Sequence, residues 1–126
     1  MKVEYPRKEG TPVSHLPFSP AVKVGDMLYV SGQASVDATG KIVNDTFAGE
    51  VRRSFENLKK ILEDVGSSLD DVIQTRNYVK SDEHVAEFNE IYKEFFTAPY
   101  PSRTTLTRCL GIVQFEVDCI AVTNQD

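Results

Sequence analysis

One run of residues constrains the fold more than any other. Phe47, Val51, Phe55, Leu58, Leu62 and Val65 are spaced by 4, 4, 3, 4 and 3 residues, which makes one apolar stripe on a helix of 3.6 residues per turn. The spacing predicts a helix from about Thr46 to Val65, with Asp45 as its N-cap and Gly66 as the left-handed residue past its end. Arg52, Arg53, Lys59 and Lys60 then form a solvated face. A second stripe, Val85, Phe88, Tyr92 and Phe95 with Ile91 and Phe96 alongside, predicts a helix in "SDEHVAEFNEIYKEFF". Ser81 or Asp82 would cap it, and Pro99 and Pro101 end it. Each stripe must be buried against another layer.

Strands supply that layer. "SPAVKV" and "MLYVSGQASV" flank Gly25-Asp26, a pair suited to a tight hairpin. "VDATGK" follows as a loop turning at Gly40. "DDVIQTRNYVK", "SRTTLTRCL" and "FEVDCIAV" are further strands, the last two joined around Gly111 and taken as an antiparallel pair. "KVEY" is a candidate for a short extra strand, and "TNQD" for a frayed tail. The order β-β-α-β-α-β-β implies one α+β domain over residues 1–126, a mixed sheet of five to six strands with two helices on one face. Two helices leave the other face open. Ile73, Thr75, Val117, Cys119 and Ala121 are too apolar or too small for a fully wet face, so self-association is expected.

Composition narrows the function. Fourteen Lys and Arg stand against 19 Asp and Glu, a net charge of −5, which argues against a broad nucleic-acid surface. No apolar run is long enough to span a membrane, and the charged "MKVEYPRKEG" has no signal-peptide core. A cytoplasmic protein is expected. Cys109 and Cys119 match no zinc or redox spacing and are expected as small buried hydrophobes in consecutive strands rather than a disulfide. No metal cluster, phosphate-binding glycine loop or histidine–nucleophile pattern around His15 or His84 appears, so neither metal nor cofactor is expected.

With period two, Arg103, Thr105 and Thr107 share one side of their strand, and Glu116 and Asp118 one side of theirs. An arginine and two carboxylates near one sheet region most often form a structural salt bridge. The alternative is an anion-binding arginine with a carboxylate nearby to handle a proton or a water. Arginine suits that role because its planar fork binds a carboxylate at two points and keeps its charge. Gly32, within "VSGQ", weakens a strand unless a backbone or ligand must come close.

Taken together, "MLYVSGQASVD", "FFTAPYPSRTTLTRCL" and "VQFEVDCIAV" resemble the reactive intermediate deaminase family (Rid, also called YjgF). Its signature reads here as Pro101-Ser102-Arg103, Leu106 and Phe115-Glu116-Val117, and the resemblance runs from about Pro17 to Val122. It implies a chorismate-mutase-like fold and a homotrimer, with the uncovered sheet faces packed as a central barrel and active sites in clefts between subunits. It also implies hydrolysis of imines, tautomers of enamines such as 2-aminoacrylate, to 2-keto acids and ammonia. That is the activity of a 2-iminobutanoate/2-iminopropanoate deaminase, acting on a small carboxylate-bearing substrate.

By position, Arg103 matches the arginine that grips the substrate carboxylate, and Glu116 the acid that positions or activates water. Ser31 and Gly32 match residues lining the pocket, and Asn89 an asparagine near the site. Three positions depart from the family pattern. Thr105 stands where cysteine is common, which rules out thiol chemistry there but keeps a backbone N–H and a hydroxyl. Phe18 stands where a cleft tyrosine is usual, which bears on substrate range. Asn77 stands where the family usually has an apolar strand residue. Two other readings remain open: a metabolite-binding trimer without turnover, and a ribonuclease or translation inhibitor, against which the acidic balance counts.

Overall fold

A computed structural model describes residues 1–9 and 15–123. Its strands are β1 (Val3–Glu4), β2 (Ala21–Val24), β3 (Met27–Ala34), β4 (Val72–Val79), β5 (Ser102–Thr107) and β6 (Phe115–Val122). Two helices, α1 (Phe47–Asp64) and α2 (Val85–Phe95), pack on one face. The sheet order is β1-β2-β3-β6-β4-β5. The hairpin turns at Gly25, whose φ of +58° suits the first position of a tight two-residue loop. "KVEY" does contribute a strand; of "TNQD", only Thr123 lies among the described residues.

β5 and β6 are not an antiparallel pair. β4 lies between them, parallel to β5 and antiparallel to β6. The cause is α2, which carries the chain from the end of β4 back to its start, so the next strand must run the same way. β5 is therefore an edge strand. It ends at Thr107, because Arg108 turns the chain with φ +65°. Cys109 consequently lies beyond the strand and is exposed, contrary to expectation, while Cys119 is buried in β6. Burial pushes the Cys119 thiol up to about 12, so it behaves as a small hydrophobe.

The caps also differ. Thr46, not Asp45, caps α1, its Oγ1 accepting from the Gly49 N–H at 3.1 Å. Asp45 accepts from the Thr46 N–H and pairs with Arg53 at 3.2 Å. Gly66 takes the expected left-handed conformation, with φ +87°. α2 is entered through a 3-10 turn, Asp82–His84, with no side-chain cap from Ser81. Asp82 instead pairs with Arg108.

Phe55 is the hub of the core. It is fully buried and contacts Tyr92, Phe95, Phe96 and Phe115 at ring-centroid distances of 5.0–5.8 Å. Val51, Leu58 and Leu62 extend the same stripe against Leu28, Val117 and Ala121. The face assignment made from the sequence is therefore largely reversed. Thr75, Val117, Cys119 and Ala121 point to the helices and are buried, and of the five only Ile73 is exposed. A register shift between Val72 and Gln74 breaks the two-residue period there. The open face is built instead from Val22, Tyr29, Arg76, Tyr78, Leu106, Glu116, Asp118 and Ile120. Tyr29 is 46% and Leu106 49% exposed, more apolar surface than a solvated sheet face usually shows. Among the described residues, no helix is long and apolar enough to cross a membrane.

Candidate functional site

The sheet separates two clefts. On its helix side, a cleft of about 360 Å³ is lined by Asn89, Tyr92, Lys93, Tyr100, Pro101 and Arg103. Arg103 reaches this side because it pairs in register with Thr75, which faces the helices. The second helix brings Phe88, Asn89 and Tyr92 to the same place, since residues three and four apart share a helix face. The Arg103 guanidinium lies 5.1 Å from the Phe88 ring centre and 4.9 Å from that of Tyr92, within cation–π range. One of its Nη groups donates to the Asn89 side-chain oxygen.

Arg52, Arg53, Arg76 and Arg108 each hold a carboxylate. Arg103 has none among the described residues, only an amide oxygen and two rings. Its remaining donors are free for a planar anion. Thr105 lies two residues on, facing the same way, and its buried Oγ1 has no hydrogen-bond partner.

Glu116 lies on the other side of the sheet, in a larger open cleft of about 1110 Å³ that Phe18, Ser31, Gly32, Arg76 and Asp118 also line. The salt bridge considered from the sequence does not form with Arg103. Asp118 is held by Arg76 at 2.8 Å and by the Tyr78 hydroxyl at 3.1 Å. Glu116 is half-buried, and its carboxyl is pushed above the usual range, first by loss of water and then by the neighbouring Asp118 charge. Such a carboxyl is poised nearer neutrality, as a proton-handling group needs.

Gly32 makes room for it. A Cβ at Gly32 would sit 2.5 Å from Glu116 Oε2 and 3.0 Å from its Cδ. Gly32→Ala is accordingly expected to push the carboxylate aside while the fold survives, because the obstructing atoms are the end of a movable side chain. A crystal structure of the variant, which should show the carboxylate turned away, and a melting curve close to that of the unaltered protein check it. Ser31 is more tightly engaged than its sequence position suggested. Its hydroxyl donates to the Ser19 carbonyl at 2.6 Å, fixing the segment that carries Phe18.

The sequence-derived residues thus fall into two sets. Phe18, Ser31, Gly32 and Glu116 gather on the open face, and Asn89, Arg103 and Thr105 on the helix side. Within one chain they do not meet. Sequence reasoning missed the ring platform under Arg103, because Phe88 and Tyr92 were read only as core stripe. The signal was present, since Asn89 stands between them at helical spacing.

The family model described as endoribonuclease L-PSP matches residues 9–123. A RutC family protein of Pyrococcus abyssi is 38% identical over 108 residues, covering 83% of this chain and 85% of that one. A 2-iminobutanoate/2-iminopropanoate deaminase of Dermatophagoides farinae is 32% identical over 91 residues, 71% of each chain. Among solved structures, E. coli TdcF with bound serine superposes with a TM-score of 0.80 at 32% identity, over 94% of this chain and 97% of that one. The match spans nearly the whole chain and includes both sets of residues, and on it the chain belongs to the reactive intermediate deaminase family, also called YjgF.

Proposed function

We propose that this protein hydrolyses imines of small 2-keto acids, the tautomers of 2-aminoacrylate-type enamines, releasing the keto acid and ammonia. The observation that carries the reading is Arg103: a guanidinium supported by an amide and two aromatic rings, with no carboxylate partner among the described residues. Similarity to the Dermatophagoides deaminase, and to a structure holding a small amino acid, supports the same ligand class. The net charge of −5 weighs against RNA as substrate, despite the family description.

In this reading two copies complete one site. Arg103, Asn89 and Thr105 of one subunit face Glu116, Gly32, Ser31 and Phe18 of the next, in a homotrimer whose open sheet faces pack together. Arg103 anchors the substrate carboxylate by two charge-assisted hydrogen bonds. Glu116 takes a proton from water as the water oxygen bonds to the carbon of the protonated imine, giving a carbinolamine. The Glu116 carboxyl returns that proton to the nitrogen, the C–N bond breaks to release ammonia, and the hydroxyl proton passes to the Glu116 carboxylate as the C–O bond becomes a carbonyl. Imines of this type hydrolyse unaided, so positioning and one proton-handling group suffice.

Generating the imine in situ and following 2-keto acid formation tests the proposal. Faster formation with protein is the expected result. Binding of 2-oxobutanoate without acceleration would instead indicate a metabolite binder. The acidic limb of the pH–rate profile should lie above the ordinary carboxylate range, because the Glu116 carboxyl is raised. Asp118→Asn removes a nearby negative charge and releases Arg76, and both changes favour ionised Glu116. That variant should move the limb to lower pH than wild type, and a limb that stays put would remove Glu116 from the proton-handling role.

A further inference from the structure

Asn77 is fully buried in the middle of β4. Its Nδ2 donates to Thr75 Oγ1 at 3.0 Å, and Thr75 Oγ1 shares a 2.8 Å hydrogen bond with the Tyr92 hydroxyl. The Tyr92 ring is one of the two that support the Arg103 guanidinium. A continuous polar chain therefore runs from the sheet interior to the underside of the candidate anchor. Thr75 and Tyr92 are themselves buried, so water does not compete for these bonds.

Packing does not account for Asn77. Its Oδ1 is buried with no hydrogen-bond partner, and so is Oγ1 of Thr105, its register neighbour on β5. An unpaired buried carbonyl costs stability, which a leucine of the same branching would avoid. A polar chain held against that cost fixes side chains in one arrangement. Asn77 fixes the direction of Thr75 Oγ1, and Thr75 Oγ1 in turn holds the Tyr92 hydroxyl. Loss of the first bond lets the second turn, and the guanidinium above the ring loses its fixed orientation.

We infer that Asn77 is a positioning residue of the site: acting through Thr75 and Tyr92, it orients Arg103 for a carboxylate. This rests on the reading of Arg103 as the substrate anchor. Asn77 makes no contact with the ligand in this account, and its effect appears in binding rather than in the chemical step.

The test uses the intact oligomer, with the in situ imine for kinetics and 2-oxobutanoate for binding. Asn77→Leu should melt at or above the wild-type temperature, yet raise KM and the 2-oxobutanoate Kd about five- to tenfold with kcat within about twofold. Tyr92→Phe, which keeps the ring and deletes the hydroxyl, should give the same split. The double variant should be no worse than either single one, because both break one chain. A folded Asn77→Leu with unchanged KM and Kd overturns the inference, as does a loss of kcat in step with a lower melting temperature. If Asn77→Leu does not fold, an unchanged Kd in Tyr92→Phe overturns it. Arg103→Ala separates the two levels. If that variant binds 2-oxobutanoate as tightly as wild type, the anchor itself is misassigned and the inference falls with it. If it alone loses binding while the other two variants keep theirs, only the inference fails.

Discussion

Replacing Arg103 with alanine should lower kcat/KM for imine hydrolysis by about 100- to 1,000-fold, the loss expected when two charge-assisted hydrogen bonds to a substrate carboxylate disappear. The fold should scarcely notice. Arg103 is exposed on an edge strand, and its removal strands no buried carboxylate. What goes is one bond to Asn89 and a pair of cation–π contacts, worth about 0.5–1 kcal/mol at an exposed site. Arg103→Lys should recover only part of the activity. A lysine keeps the charge but not the planar fork that meets both carboxylate oxygens. Steady-state kinetics beside a thermal melt distinguish this from unfolding. Near-normal turnover by a folded Arg103→Ala would sink the assignment.

Glu116→Gln should cost about 100- to 10,000-fold in kcat, the usual contribution of a positioned acid–base group, with a much smaller change in KM. The substitution keeps shape and removes the charge together with the ability to exchange a proton. It also leaves the neighbourhood intact, because Arg76 is already held by Asp118 and no cation is left unpaired. Stability should hold or rise slightly, since the carboxylate is half-buried and its charge is disfavoured there. Equal losses in kcat and melting temperature would assign Glu116 to structure instead.

The two helices and their buried stripes were legible because 3.6-residue periodicity survives in Phe47 to Leu62 and in Val85 to Phe95. Sheet faces were less so. Period two survives in β6, but the sequence does not say which of its faces the helices cover, and in β4 the shift after Val72 also reverses parity. The partner of β5 was likewise hidden, because pairing depends on where α2 delivers the chain. Arg103 and Glu116 were singled out by strand periodicity, where a salt bridge is the commoner outcome, and received their roles from the family signature. Their separation by the sheet was not legible, since β4 comes between them only in three dimensions. Tyr92 shows a further limit. One side chain packs the core with Phe55, supports Arg103 and closes a hydrogen bond to Thr75, and a hydrophobic stripe reports only the first of these.

In the proposed site, Arg103 of one subunit works with Glu116 of another. Mixing the two disabled proteins tests it: Arg103→Ala and Glu116→Gln are denatured together in equal amounts and refolded, or are coexpressed. If sites form between neighbours in a closed ring, random mixing pairs an intact arginine with an intact glutamate in about a quarter of them. Activity should then return to about a quarter of the wild-type level per site, from two proteins that are each nearly inactive. Activity that remains at the sum of the two parents, in a mixture shown to contain hybrid oligomers, would contradict a shared site.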